Sequence, residues 1–443
     1  MMKTDFIKKT QILLLATCLG VSSIVCAQNQ RILDLDEAIS LGMSHNKALK
    51  LDSMNLQLAD SKILQNKNAQ LPQVSANLSY IRISDNITPF RVAFPTGDVV
   101  LNPQILNQSY NALQVRQLVW GGGRVKYGNQ LAVLDKKAIY FDIQKNKADV
   151  AYNIATLWYN LFVVKQSNKI IKANLALLTN QQKDAENFVQ QGILLGNDLL
   201  KLELVVTNLQ ANLLDIENTQ NLLKYNLCVL TGLDTKTDVD VPDALPPVEQ
   251  RNNAFEQYLD QALKNRPELN GLSVRKEQAV IGSRLARSNF LPTLSAGGSV
   301  NVDMPNQRVF PNQATLTGTW NVGIFLSWNL TDLYTNKEKV RESNLAFLKL
   351  NTVMDQAKEG IRLEVNGDYN NYLQAKRKIQ LANKAVEQAT ENFRVEQNKF
   401  RSNTTTATEF LTANTLLIQS QINLTTVTAN AELAYQKLLK SIN

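Results

Sequence analysis

The 443 residues include one histidine, His45, and only three cysteines, Cys18, Cys26 and Cys228. No His/Cys metal centre can be assembled from so few ligands. A histidine-dependent nucleophile would have to use His45, in the helix-start context Ser44-His45-Asn46, where a surface position is the simpler reading. Gly121-Gly122-Gly123 lacks the spacing and trailing lysine of a phosphate loop, and no dinucleotide fingerprint occurs. Catalysis and cofactors are therefore not expected. Proline (11) and glycine (18) are too scarce for a loop-rich or collagen-like chain. No run of 18 apolar residues follows residue 27, so any bilayer crossing has to be made by β-strands. The formal charge is +8, but cations and anions are interspersed and no basic stripe alternates with aromatics, so nucleic acid is not an expected partner.

Residues 1–27 read as a secretory signal. Lys3, Lys8 and Lys9 precede the apolar start Ile12-Leu13-Leu14-Leu15-Ala16, and Val25-Cys26-Ala27 is a small-residue cleavage site. The other reading is a lipoprotein signal with Cys26 acylated, although Val25 is bulky for that role. After cleavage only Cys228 remains, so no intramolecular disulfide can form; its apolar helical setting points to the core.

The chain is written twice. Asp36-Glu37-Ala38-Ile39 is echoed by Asp260-Gln261-Ala262-Leu263, and Leu71-Pro72-Gln73-Val74-Ser75-Ala76 by Leu291-Pro292-Thr293-Leu294-Ser295-Ala296. Gly192 followed by Asp198 is echoed by Asn403 followed by Glu409. Two repeats, 28–247 and 248–443, meet at the proline-rich joint Val241–Pro247. The first is expected to hold strands at about 73–83 and 110–120 and helices at about 46–70, 124–190 and 197–230. The second is expected to hold strands at about 293–303 and 318–330 and helices at about 268–288, 333–400 and 409–440.

Residues 124–190 contain no proline and one glycine, enough for a helix of about 100 Å. Such helices outrun a globular core and call for coiled-coil packing. Leu199, Val206, Leu213, Gln220 and Leu227 recur every seven residues, as do Leu202, Leu209, Ile216, Leu223 and Leu230. Phe410, Leu417, Leu424, Ala431 and Leu438 repeat the register beside a row of small residues running from Ala413 to Ser441.

The clearest strand places Trp320, Val322, Ile324, Leu326, Trp328 and Leu330 on one face and Thr319, Asn321, Gly323, Ser327 and Asn329 on the other. Leu294, Ala296, Gly298, Val300 and Val302 alternate likewise, and Val74, Ala76, Leu78, Tyr80, Leu113, Val115 and Val119 do so more weakly. One apolar and one polar face fit either a half-buried soluble sheet or a barrel wall facing lipid. Export, a tryptophan near each end of the apolar face and the long polar connection 85–108 favour the barrel, with Trp320, Val322, Ile324, Leu326 and Trp328 toward lipid. Four strands cannot close, so the chain has to associate. A dimer gives eight strands, a barrel usually filled by side chains; a trimer gives twelve and a backbone diameter of roughly 24 Å. Four helical columns per chain give twelve in a trimer, a ring roughly 38 Å across. The expected architecture is mainly α with a small β part: an α-helical barrel joined to a trimeric twelve-stranded transmembrane barrel.

These features, with Arg266-Pro267-Glu268-Leu269 and Leu230-Thr231-Gly232-Leu233, resemble the TolC-like outer-membrane efflux protein family over essentially the whole mature chain. The resemblance implies a homotrimer in the cell outer membrane, reaching into the periplasm, that catalyses nothing and binds no cofactor. It implies an exit duct for small toxic compounds, with a periplasmic adaptor and an inner-membrane transporter as partners. The turns at Gly192, Ile193, Asn403 and Thr404 become adaptor-contact tips. Asp198 and Glu409 match the family's acidic position after each turn, as a periplasmic aperture or as simple helix-start carboxylates. A one-step protein secretion duct has the same architecture. A periplasmic coiled-coil adaptor is the reading from another class, disfavoured by the two helical-hairpin sets and two strand pairs.

Overall fold

A computed structural model describes residues 31–245 and 254–443. The expected signal segment, its cleavage site and Pro246-Pro247 of the joint lie outside the described residues. In chain order the elements are β1 (Arg31–Ile32), α1 (Leu35–His45), α2 (Lys47–Asn68), β2 (Gln73–Arg82), β3 (Phe90–Phe94), β4 (Gly97–Asn102), β5 (Asn107–Trp120), α3 (Arg124–Gln190) and α4 (Gly196–Thr231). They continue with β6 (Val239–Asp240), α5 (Phe255–Asn265), α6 (Pro267–Ser288), β7 (Thr293–Met304), β8 (Thr317–Ser327), α7 (Asp332–Arg401) and α8 (Ala407–Ile442). The chain is mostly helical with a minor β part, as expected. Among the described residues no helix is long and apolar enough to cross a membrane.

The chain forms two compact units, and neither follows the sequence repeats. Of the described residues, one takes 31–50, 146–245, 254–264 and 362–443; the other takes 51–145 and 265–361. Each draws on both halves of the sequence.

In the first unit, β1 pairs in parallel with β6. Beneath them lies a core of Leu33, Ile154, Trp158, Leu161, Leu227, Val239 and Val241. Trp158 Nε1 donates to the Leu33 carbonyl at 2.8 Å. Its ring stands edge-on to Tyr159, at 5.1 Å between centroids, and stacks on Phe162. Cys228 is buried and free, in keeping with its apolar setting. A second core gathers Leu178, Leu202, Val206, Phe393, Phe400 and Phe410, with Phe400 stacked on Phe410 at 4.9 Å. All ten seam positions of α4 are buried or half-buried, as are the ten of α8, so the seven-residue period is satisfied inside one chain. Asn174 and Asn414 exchange two side-chain hydrogen bonds of 2.8 and 3.0 Å within the packed helices. A buried amide pair of this kind costs stability in any register except its own and so fixes how α3 meets α8.

His45 sits at the end of α1 rather than at a helix start. The break comes one residue later, where Asn46 Oδ1 accepts from the N–H groups of Ala48 and Leu49 and so opens α2. His45 itself is exposed, with Nδ1 3.0 Å from the Leu41 carbonyl oxygen.

In the second unit, Leu71-Pro72 ends α2 and Leu291-Pro292 follows α6, and β2 and β7 begin at the next residue in each case. The sheet order is β2-β5-β7-β8, with every neighbouring pair antiparallel. The two hairpins are thus one sheet, joined by β5 against β7. The connection 85–108 is not plain loop: it folds into the two-stranded hairpin β3–β4. Leu134 and Ala138 of α3 pack on Val274 and Ile281 of α6. Gln117 Nε2 donates to the Gln70 carbonyl at 2.6 Å, tying the sheet to the end of the α2 segment.

Candidate functional site

The sheet sorts its side chains by face. Register places Ala76, Leu113, Val300 and Trp320 on one cross-strand row, and Val74, Val115, Gly298 and Val322 on the next. Trp320, Val322, Ile324 and Leu326 are 72%, 77%, 75% and 68% exposed. The opposite face carries Gln73, Ser75 and Asn77 on β2, Gln114 and Arg116 on β5, Ser299 and Asn301 on β7, and Thr319 and Asn321 on β8. An apolar face left exposed along four strands is costly in water and favourable in hydrocarbon. Among the described residues, β2 and β8 each lack a partner on their outer edge.

Two expectations shift. β8 ends at Ser327, so Trp328 stands just beyond the strand, its Nε1 donating to the Phe290 carbonyl at 3.1 Å. Val119 is also displaced, because a bulge between Leu118 and Trp120 interrupts the pairing of β5 with β7.

In the first unit the turns at Gly192 and Asn403 are superimposable in hydrogen bonding. Gly192 N donates to Val189 O and Ile193 N to Phe188 O. Asn403 N donates to Phe400 O and Thr404 N to Lys399 O, each 211 positions later. Both are Schellman ends, and Gly192 and Asn403 supply the positive φ they need, at 73° and 53°. Asn403 Nδ2 donates to the Ile193 carbonyl at 3.2 Å, joining the two tips. Thr405 Oγ1 and Lys399 Nζ bond the Glu396 carboxylate at 2.9 and 2.8 Å. Those bonds, the lysine's first, hold it below the usual range.

The two acids differ. Asp198 is half-buried and its Oδ1 lies 3.1 Å from Lys201 Nζ, which also donates to Thr408 Oγ1 on α8 at 3.1 Å. Glu409 is exposed, and its backbone N–H is capped by Thr406 Oγ1 at 3.2 Å. Asp198 therefore sits in an ion pair, whereas the Glu409 side chain is exposed to solvent. Asn403→Ala is expected to destabilise the tip by about 1–2 kcal/mol, since alanine tolerates the left-handed region poorly and loses the bond to Ile193. Asn403→Gly should cost less, and hydrogen exchange of the Thr404 amide measures the difference.

An exposed apolar sheet face, sheet edges without a partner among the described residues and heptad-packed helices fit a membrane-embedded sheet and a coiled-coil helical body. Residues 258–443 match the model of the Outer membrane efflux protein family. The expected resemblance to TolC-like channels holds for the fold. Among solved structures, the outer membrane protein VceC of Vibrio cholerae is similar with a TM-score of 0.73 and 14% identity, covering 92% of this chain and 95% of that one. The open state of the Neisseria gonorrhoeae MtrE outer membrane channel is similar with a TM-score of 0.69 and 14% identity, covering 92% and 88%. A curated relative, Toxin and drug export protein A of Aggregatibacter actinomycetemcomitans, is 21% identical over 296 residues, 65% of this chain; the match spans 62% of that protein's length.

Arg116 is not among the residues that the apolar stripe singles out. The signal was present: it alternates with Val115 and so falls on the polar side of β5.

Proposed function

We propose that three copies of this chain form a water-filled duct across the outer membrane and periplasm, the exit of a tripartite efflux pump. The observation that carries this is the open sheet, apolar on one face and unpaired at both edges. Four alternating strands make β8 of one copy antiparallel to β2 of the next, so identical copies close without a mismatched pair. Twelve strands leave a wet lumen, which eight would fill. Leu200, Leu204, Leu214, Leu222, Tyr225 and Val229 of α4 support the same association: they form an exposed apolar row beside the filled seam. In this reading the two sequence repeats are duplicated copies of one plan, and Trp320 to Trp328 face lipid. The tips at Gly192, Ile193, Asn403 and Thr404 meet a periplasmic adaptor, and an inner-membrane transporter supplies the cargo. The name of the toxin and drug export relative supports small toxic compounds as that cargo.

The purified protein should require detergent and have the protein mass of three chains by light scattering. A monodisperse soluble monomer in plain buffer overturns the reading. In planar bilayers, Glu409→Ala should weaken cation preference more than Asp198→Ala, because Lys201 already neutralises Asp198. Reversal potentials in a salt gradient check this order; equal effects would contradict the aperture role of Glu409.

A further inference from the structure

We infer that the polar face of the sheet holds an oxyanion-binding site centred on Arg116, which takes the carboxylate or phosphate groups of passing solutes. On that face of β2, β5, β7 and β8 the only charged side chains are Arg116 and Asp303. Asp303 is paired with Tyr110, six residues along β5 from Arg116 and so about 20 Å away. That exceeds the roughly 8 Å screening length at physiological salt, so Asp303 does not neutralise the guanidinium.

Arg116 makes no ion pair among the described residues. Its Nε donates to Ser295 Oγ at 3.2 Å, which anchors the head group and leaves the two terminal nitrogens for a ligand. The space beside it is built by two glycines. Gly297 faces Arg116 in register, and Gly323 faces Gly297 on β8. A Cβ at Gly297 would stand 2.6 Å from the Val115 carbonyl oxygen, so the strands approach too closely there for any side chain. The result is a hollow of about 310 Å³, lined by Gln114, Arg116, Gly297, Ser299, Asn321 and Phe325. Gln114, Ser299 and Asn321 add neutral donors, and Asn321 Nδ2 donates to Ser299 Oγ at 2.8 Å, holding both in place. A guanidinium fork with neutral donors beside it and no carboxylate nearby suits a planar or tetrahedral oxyanion. Three-fold repetition would set three such sites around the lumen and favour anionic solutes at this level.

The site lies within one chain, while its meeting with solute rests on the duct reading; two measurements separate them. In detergent, the ³¹P resonance of inorganic phosphate should broaden with the full-length protein. Arg116→Gln should weaken that binding about tenfold or more, and Arg116→Lys, which keeps the charge but loses the fork, should fall between. In planar bilayers, phosphate should reduce the wild-type current at concentrations about tenfold below those needed for Arg116→Gln. Equal broadening by wild type and Arg116→Gln, or none by either, overturns the inference. Arg116-dependent broadening without any conducting pore supports the site and overturns the duct.

Discussion

Val322→Arg is expected to abolish most outer-membrane assembly. Val322 is 77% exposed in the middle of β8, on the apolar face, with Gly298 its partner and Val115 next in the row. An arginine facing lipid near the bilayer midplane costs about 2–4 kcal/mol per site, and three-fold repetition applies that cost to every copy in the barrel. Thr319→Arg, on the opposite face of the same strand, should assemble nearly as well as wild type, because its side chain remains in water. Heat-resistant oligomer recovered from outer-membrane fractions measures both. Equal recovery of the two variants would mean that the faces are assigned the wrong way round or that no lipid contacts this sheet.

The second large effect lies in the helical unit. Trp158→Ala should destabilise it by about 3–5 kcal/mol through loss of a large buried side chain. Trp158 is 3% exposed and packs against Tyr159 and Phe162. Trp158→Phe keeps most of the volume but leaves the Leu33 carbonyl without its donor, at a cost of about 1–3 kcal/mol. Leu33 follows β1 directly, so the loss should register first as faster hydrogen exchange at Leu33 N, which donates to Asp240 O. Chemical denaturation of the two variants separates packing from hydrogen bonding. A Trp158→Phe variant as damaged as Trp158→Ala would place the whole effect in the indole N–H.

Local chemistry made several parts of this fold legible. Proline after Leu71 and Leu291 marked both helix-to-strand passages, because proline acts on the residue before it. The sustained seven-residue period of α4 and α8 marked their buried seams. Gly192 and Asn403 marked the two left-handed turns, since few other residues adopt that region cheaply. What stayed hidden depends on partners distant in sequence. Nothing local tells β5 to pair with β7 across some 180 intervening residues, although that pairing makes one sheet of two hairpins. The β3–β4 hairpin was masked by Pro89, Pro95 and Pro103, which mark loops more strongly than Val92, Val99 and Val100 mark such short strands. The helix start at Asn46 was legible, but the short α1 before it was not among the expected helices. The compact units cut across the repeats because α3 and α7 each contribute to both. Within the site, both tips could be named from their turn residues, but the difference between Asp198 and Glu409 depends on Lys201 reaching Thr408, a contact between elements far apart in sequence.

Covalent capture of the closing strand pair tests the central claim most directly. Asn77 of β2 and Thr319 of β8 lie on one cross-strand row of the polar face, separated within a chain by β5 and β7 and hence by about 14 Å. With cysteines at both positions and Cys228 replaced by serine, a thiol reagent spanning about 10 Å is too short to join them within one chain. Barrel strands are staggered where copies meet, so the two cysteines are stepped along the polar faces of β2 (Gln73, Ser75, Asn77, Ser79) and β8 (Thr317, Thr319, Asn321), all still too far apart within one chain, until one combination is opposite across the shared edge and the reagent joins two copies. The account predicts covalent dimers and trimers and nothing larger, formed in the outer membrane of intact cells. Monomers alone, or an open-ended ladder beyond the trimer, would contradict it.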